Sequence, residues 1–219
     1  MKNLPVNQLK LYGLDIFFNE IISLVNNKKL PNQILLSGQE GVGKSTLAFH
    51  IINYILSKKE ENPYMLDAKS INNKNRSYNL IKNGSHPNFY SVDLVDDKKN
   101  IEISQIRSMI EYTNKSTFNE DKKVILINNA ENLNSNSLNS LLKVTEEPNE
   151  NVYFIFIYNN SKNISKTLLS RCLIFKIYLS FNESISIANQ IIEDDLRNVL
   201  NSDFVNYYFT PGRYVNLIN

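Results

Sequence analysis

"GQEGVGKS", residues 38–45, matches the pattern G-x-x-x-x-G-K-[ST]. It stands between a short apolar run ending in glycine, "QILLSG" (33–38), and a stretch of helical period, "KSTLAFHIINYILSK" (44–58). Strand, glycine loop, helix is the context in which this pattern binds phosphate. Gly38, Gly41 and Gly43 open backbone conformations closed to other residues, so N–H groups along the loop, through Val42 and on to Thr46, can converge on phosphate oxygens at the positive end of a helix. In that reading Lys44 pairs with the β- and γ-phosphates of a nucleotide and the Ser45 hydroxyl ligates its Mg²⁺. The alternative is a glycine turn that merely joins a strand to a helix.

Outward from the loop the periodicity keeps alternating. "LDIFFNEIISLVNNKK" (14–29), "ISQIRSMIEYTNKS" (103–116) and "NSNSLNSLLKVTEE" (134–147, ended by Pro148) carry apolar residues at helical spacing. "FYSVDL" (89–94), "KVILIN" (123–128), "NVYFIFIYN" (151–159) and "LIFKIYL" (173–179) read as strands, the last three nearly continuous apolar runs of the kind buried on both faces. Strands alternating with helices predict an α/β fold on a parallel sheet. Residues 59–85 are mostly polar and read as loops. From Ser180 the pattern turns helical, so a boundary is expected near 179, with a nucleotide-binding domain over 1–179 and a small helical domain over 180–219.

Composition sets outer limits. The 219 residues are 42% hydrophobic and 21% charged, enough for one sizeable core. Lys and Arg total 24 against 22 Asp and Glu, and a net charge of +2 is too small to argue for nucleic-acid or membrane binding by bulk electrostatics. The single cysteine, Cys172, excludes an internal disulfide and a multi-cysteine zinc site and fits a reducing compartment, the cytoplasm. No apolar run approaches the roughly 18 residues of a membrane span.

Several pieces in fixed order resemble the AAA+ clamp-loader ATPases, and among them the delta-prime subunits of bacterial DNA polymerase III. They are "LYG" (11–13), the glycine loop, "HPNFYSVD" (86–93), "ISQIR" (103–107), "NSLLKVTEEP" (139–148) and "SRC" (170–172). The resemblance implies a doubly wound sheet followed by a helical lid, binding of ATP or ADP with Mg²⁺, and assembly with other clamp-loader subunits into a ring that opens the sliding clamp around primer–template DNA. It makes Arg171 a finger reaching the nucleotide of a neighbouring subunit, where a guanidinium can be worth ~10³–10⁵ in rate. The residue-level alternative is a solvated arginine before "LIFKI". The resemblance also places a first sensor at Asn159, with Asn160 an adjacent competitor. In "TPGRYVNL" (210–217) it puts Gly212 where active subunits offer a second sensor arginine, with Arg213 one step away. Many delta-prime relatives carry a zinc module between the loop helix and the His-Pro segment, yet residues 62–85 hold no cysteine. The family's third, helical collar domain is expected to be missing, since the chain stops at Asn219.

The same resemblance makes "VILINNAEN" (124–132) the second nucleotide motif, which in active relatives ends in two acids. Here Asn128 and Asn129 stand in those positions. An asparagine keeps the shape and an acceptor oxygen but has no charge for a metal and takes no proton near neutral pH, so a loss of ~10²–10⁴ in rate is expected. Glu131 lies past the strand end and is not counted as a replacement. The expectation is a subunit that binds ATP, hydrolyses it poorly, and serves its neighbour through Arg171. Competing readings are a free-standing P-loop ATPase or kinase, and a non-enzymatic scaffold with a vestigial loop.

Overall fold

The computed structural model describes residues 4–95, 98–115, 122–146 and 151–218. Five strands, β1 (Gln33–Ser37), β2 (Phe89–Val92), β3 (Lys123–Ile127), β4 (Val152–Tyr158) and β5 (Leu173–Lys176), form one sheet in the order β2-β3-β4-β1-β5. Every neighbouring pair is parallel, and β1 lies between β4 and β5, with Ile34 opposite both Ile155 and Leu173.

Strand side chains alternate between two buried layers. Ile34, Leu36, Val124, Leu126, Ile155 and Ile157 face α1 (Asp15–Asn26), α2 (Lys44–Ser57) and α3 (Arg76–Lys82). Leu35, Ile125, Ile127, Phe154 and Phe156 face α4 (Ile103–Asn114), α5 (Ser135–Glu146) and α6 (Lys166–Leu169). Each fully buried aliphatic side chain stabilises by roughly 1.5–3 kcal/mol, which is why the apolar runs sit in the middle of the sheet. The parallel, two-sided α/β fold is the one expected from the alternation.

Three details depart from the sequence reading. The polar stretch 59–85 contains α3, whose N-cap Asn75 accepts from the Tyr78 amide at 2.7 Å while Tyr78 and Ile81 are buried. Two turns offer too few apolar positions for a period to show. α6 is a single turn and escaped for the same reason. β5 ends at Lys176 rather than 179 and is an edge strand: Leu173 and Ile174 are exposed and only Phe175 is buried within it, so its apolar run does not mean burial on both faces. Pro148, expected to end α5, lies outside the described residues.

Beyond the sheet, Ser180 opens α7 (Phe181–Ile192) with a capping box to Glu183. α7, α8 (Leu196–Val199), α9 (Ser202–Val205) and α10 (Pro211–Ile218) share a small core of Ala188, Leu196, Val205 and Tyr214. The start of α10 returns to the glycine loop. Thr210 Oγ1 donates to Glu40 O at 2.8 Å and the Gly212 amide donates to Gly41 O at 2.9 Å. Among the described residues no helix is long and apolar enough to cross a membrane.

Candidate functional site

In a doubly wound sheet ligands settle outside the carboxyl ends of the strands, where connections diverge to opposite faces. β1 delivers the glycine loop to that edge, β3 delivers Asn128 and Asn129, and β4 delivers Asn159. All of them line one cavity of about 630 Å³, closed on another side by the chain before α1, including Tyr12, and by the first turn of α10.

The loop is shaped for backbone donors. Gly41 and Gly43 have φ of +84° and +96°, and Gly43 is the N-cap of α2. Both conformations are strained for any residue with a Cβ. Val42 and Gly43 through Thr46 border the cavity, so the N-terminal end of α2 opens onto it, while the Val42 amide donates to Gln39 O at 3.4 Å. Lys44, the first residue of α2, is only 3% exposed, and its Nζ donates to Gly38 O at 2.8 Å and Gln39 O at 2.6 Å. Burial pushes its pKa down to about 8, opposed by the charges of Glu131 and Glu40. Carbonyls satisfy an ammonium geometrically but not electrostatically, and an anionic phosphate would do both. The loop therefore fits the phosphates of a nucleotide, and Ser45, on the same rim, is the hydroxyl that would meet a metal bound with them.

The end of β3 is a directed amide chain. Asn159 Nδ2 donates to Asn129 Oδ1 at 2.7 Å, and Asn129 Nδ2 donates to Asp93 Oδ1 at 2.7 Å. Asn128 Nδ2 donates to the other Asp93 oxygen at 2.8 Å. Asn129 itself sits at φ +52°, a left-handed conformation that asparagine tolerates better than most residues. Glu131 is 8% exposed in the short 3-10 turn Ala130–Asn132; its Oε1 accepts from the Asn159 amide at 3.2 Å and Ser161 Oγ at 2.8 Å, and its Oε2 is buried without a hydrogen-bond partner. Asn159 is the residue at the cavity; Asn160, at φ +57°, accepts from Ser37 Oγ at 3.0 Å instead.

The other predicted residues fall elsewhere. Arg171, just after α6, does not line the cavity; it pairs with Glu146 at 2.7 Å and donates to Thr167 O at 3.0 Å. Cys172 is half-buried, and burial lifts its thiol to about 12, so it is protonated and unreactive near neutral pH. Gly212 lies against Gly41, while Arg213 borders the cavity with its guanidinium 4.8 Å from the Phe209 ring centroid. In the cysteine-free segment 62–85, Asn75 acts as the staple, donating to Asn62 O at 2.7 Å and accepting from Asn53 Nδ2 at 2.9 Å.

Asp93 and the burial of Glu131 were not read from the sequence. The available signal was the acid ending "FYSVD": once β2 neighbours β3, the residue after β2 must meet the residues after β3.

A parallel sheet wound on both faces, a glycine loop at the carboxyl end of its inner strand and a helical segment folded back onto that loop define an AAA+ P-loop module. The family described as "DNA polymerase III, delta subunit" matches residues 14–180, and the chain belongs to it. It is 26% identical over 185 residues to DNA polymerase III subunit delta' of Buchnera aphidicola subsp. Schizaphis graminum, covering 83% of this chain and 54% of that protein. It is 32% identical over 192 residues to subunit gamma of the same organism, covering 83% and 47%. The chain thus spans about half the length of these relatives. Among solved structures it resembles a DNA polymerase III gamma subunit-related protein of Thermotoga maritima, with a TM-score of 0.57, 15% identity and coverage of 91% of this chain and 70% of that one. The RuvB Holliday junction branch migration motor of Thermotoga maritima follows with a TM-score of 0.51, 15% identity and coverage of 87% and 56%.

Proposed function

We propose that this chain is a clamp-loader subunit of the delta-prime kind that binds ATP or ADP with Mg²⁺, turns it over slowly, and supplies Arg171 to the site of a neighbouring subunit. The observation that carries the reading is the contrast within one cavity. The glycine loop keeps its full pattern, with residues 40–46 lining the cavity and Lys44 buried in the loop, whereas the residues ending β3 are amides. A cradle of backbone amides and one lysine holds phosphate without any carboxylate, but water attacking a γ-phosphate needs a group to orient it and take its proton, and Asn128 and Asn129 can do only the first.

Arg171 supports the second half, because it lies outside its own cavity and its guanidinium, about a third exposed, is held among the described residues by a surface pair and one carbonyl. In this reading the helices after Ser180 act as the lid over the nucleotide, and the assembled ring loads a sliding clamp onto primed DNA. Titrating a fluorescent ATP analogue into the chain while following phosphate release tests it. Saturable binding with slow turnover is expected; rapid turnover by the isolated chain, or no binding, would overturn it.

A further inference from the structure

β3 ends without an acid, yet a carboxylate stands against both of its amides. The Asn128 amide donates to Val92 O at 2.9 Å, extending the β2–β3 ladder by one bond and bringing the next residue, Asp93, level with Asn128 and Asn129. One Asp93 oxygen then accepts from Asn128 and the other from Asn129 and from the Leu94 amide, at 2.7 to 2.8 Å. The backbone of Asp93 is fixed as well: its carbonyl accepts from Gln105 Nε2 at 2.7 Å, and Gln105 is the partner of Glu102 in the capping box of α4. The Asp93 carboxylate, exposed to solvent, is thus held by neutral donors, and among the described residues no cation pairs with it.

We propose that Asp93 is the acid of this nucleotide site, displaced from the end of β3 to the end of β2 and presented to bound metal–nucleotide at one remove, through Asn128 and Asn129. The inference rests on the nucleotide-binding reading above and deepens it. Asn128 and Asn129 line the cavity, and the solvent-exposed Asp93 grips them from outside it, so Asp93 is a positioning residue. Its negative charge favours a divalent cation on the phosphates through space, and its grip fixes the amides so that they donate toward β2. Because it does not reach the cavity, it takes no proton from an attacking water. A site so arranged gains metal–nucleotide affinity without gaining hydrolysis.

The test compares affinity for a fluorescent ATP analogue in Mg²⁺ and in EDTA, with melting temperatures, for wild type, Asp93→Asn, Asn128→Asp and the exchange Asp93→Asn/Asn128→Asp. Asp93→Asn is expected to cut the advantage conferred by Mg²⁺ roughly threefold to tenfold, the scale of one solvent-exposed charge acting over several ångströms, while the EDTA affinity is retained or rises, because the same charge repels metal-free phosphates. Asn128→Asp alone sets two carboxylates at hydrogen-bond distance and should lower the melting temperature. The exchange, which keeps one acid and one amide, should recover both the melting temperature and the Mg²⁺ advantage. An undiminished Mg²⁺ advantage in Asp93→Asn, or an exchange no better than Asn128→Asp, overturns the assignment of Asp93 alone. If wild type binds in neither buffer, the nucleotide reading falls and this inference falls with it.

Discussion

The amide of Gly212 donates to the carbonyl of Gly41 at 2.9 Å, joining the first turn of α10 to the glycine loop. A Cβ built on Gly212 would lie 2.9 Å from Gly41 Cα and 3.0 Å from its oxygen. Those are main-chain atoms that cannot swing aside, so Gly212→Ala must shift α10 against the loop and strain the bond. We expect a loss of roughly 1–3 kcal/mol in urea unfolding, the usual cost of overpacking, together with faster hydrogen exchange in residues 211–218. Unaltered exchange there would show that the strap does not hold α10 down.

Arg171 and Glu146 form an exposed pair at 2.7 Å, and such pairs contribute only about 0–1 kcal/mol. The guanidinium is thus easily released, and on the proposed reading a phosphate of a neighbouring subunit would hold it far more strongly. Arg171→Ala should lower ATP hydrolysis by a reconstituted clamp-loader complex on the order of 10³-fold while the chain's own nucleotide affinity is retained. Glu146→Gln should leave complex hydrolysis at or above wild type, because it removes only the resting partner. Steady-state ATPase assays on the complex decide the matter; hydrolysis indifferent to Arg171→Ala would remove the finger from the account.

The frame of this fold was legible because its signals are local and repeated. "QILLSG", the glycine loop and the α2 period each lie within a few residues, and the continuous apolar strands announced a sheet covered on both sides. What stayed hidden depends on neighbours distant in sequence. Asp93 meets Asn128 and Asn129 only because β2 pairs with β3, and Thr210 meets Glu40 across 170 residues. No periodicity encodes such contacts. Glu131 shows the same limit from another side: its position past the strand was plain, but its burial follows from Asn159 and Ser161 closing over it from β4. β5 misled because an apolar edge strand and an apolar central strand read alike.

His50 ties the loop helix to the segment before α1, and the bonding fixes its tautomer. Gln8 O, 3.0 Å away, can only accept, so Nε2 carries the proton and Nδ1 accepts from the Tyr64 hydroxyl at 2.8 Å. Burial pushes the pKa down to about 4 from 6.5. Between those values the unfolded chain binds more protons, so stability from this group is fully present above pH 6.5 and is lost as pH falls toward 4, by about 3 kcal/mol in total. Urea unfolding at pH 7.5 and 4.5 should show a steeper loss in wild type than in His50→Gln. Equal losses would mean that His50 titrates freely in the fold.

Lys44 should make nucleotide binding sensitive to alkaline pH. In the free protein burial sets its pKa at about 8, below its ordinary 10.5. The unfolded chain then binds more protons between these values, so this group makes the free fold more stable as pH rises through that window. Binding runs the other way. Phosphate favours the charged lysine, so below pH 8 the ammonium is already present, whereas above it each binding event must take up a proton. Affinity for ATP should be flat below pH 8 and fall about tenfold per pH unit above it. Calorimetric titrations at pH 9 in buffers of different ionisation heat should register about one proton taken up per nucleotide bound. In Lys44→Met the residual binding should show neither the slope nor the uptake. A wild-type affinity that stays flat to pH 10 would mean that the Lys44 ammonium remains charged inside the loop and that the carbonyls of Gly38 and Gln39 hold it as well as phosphate does.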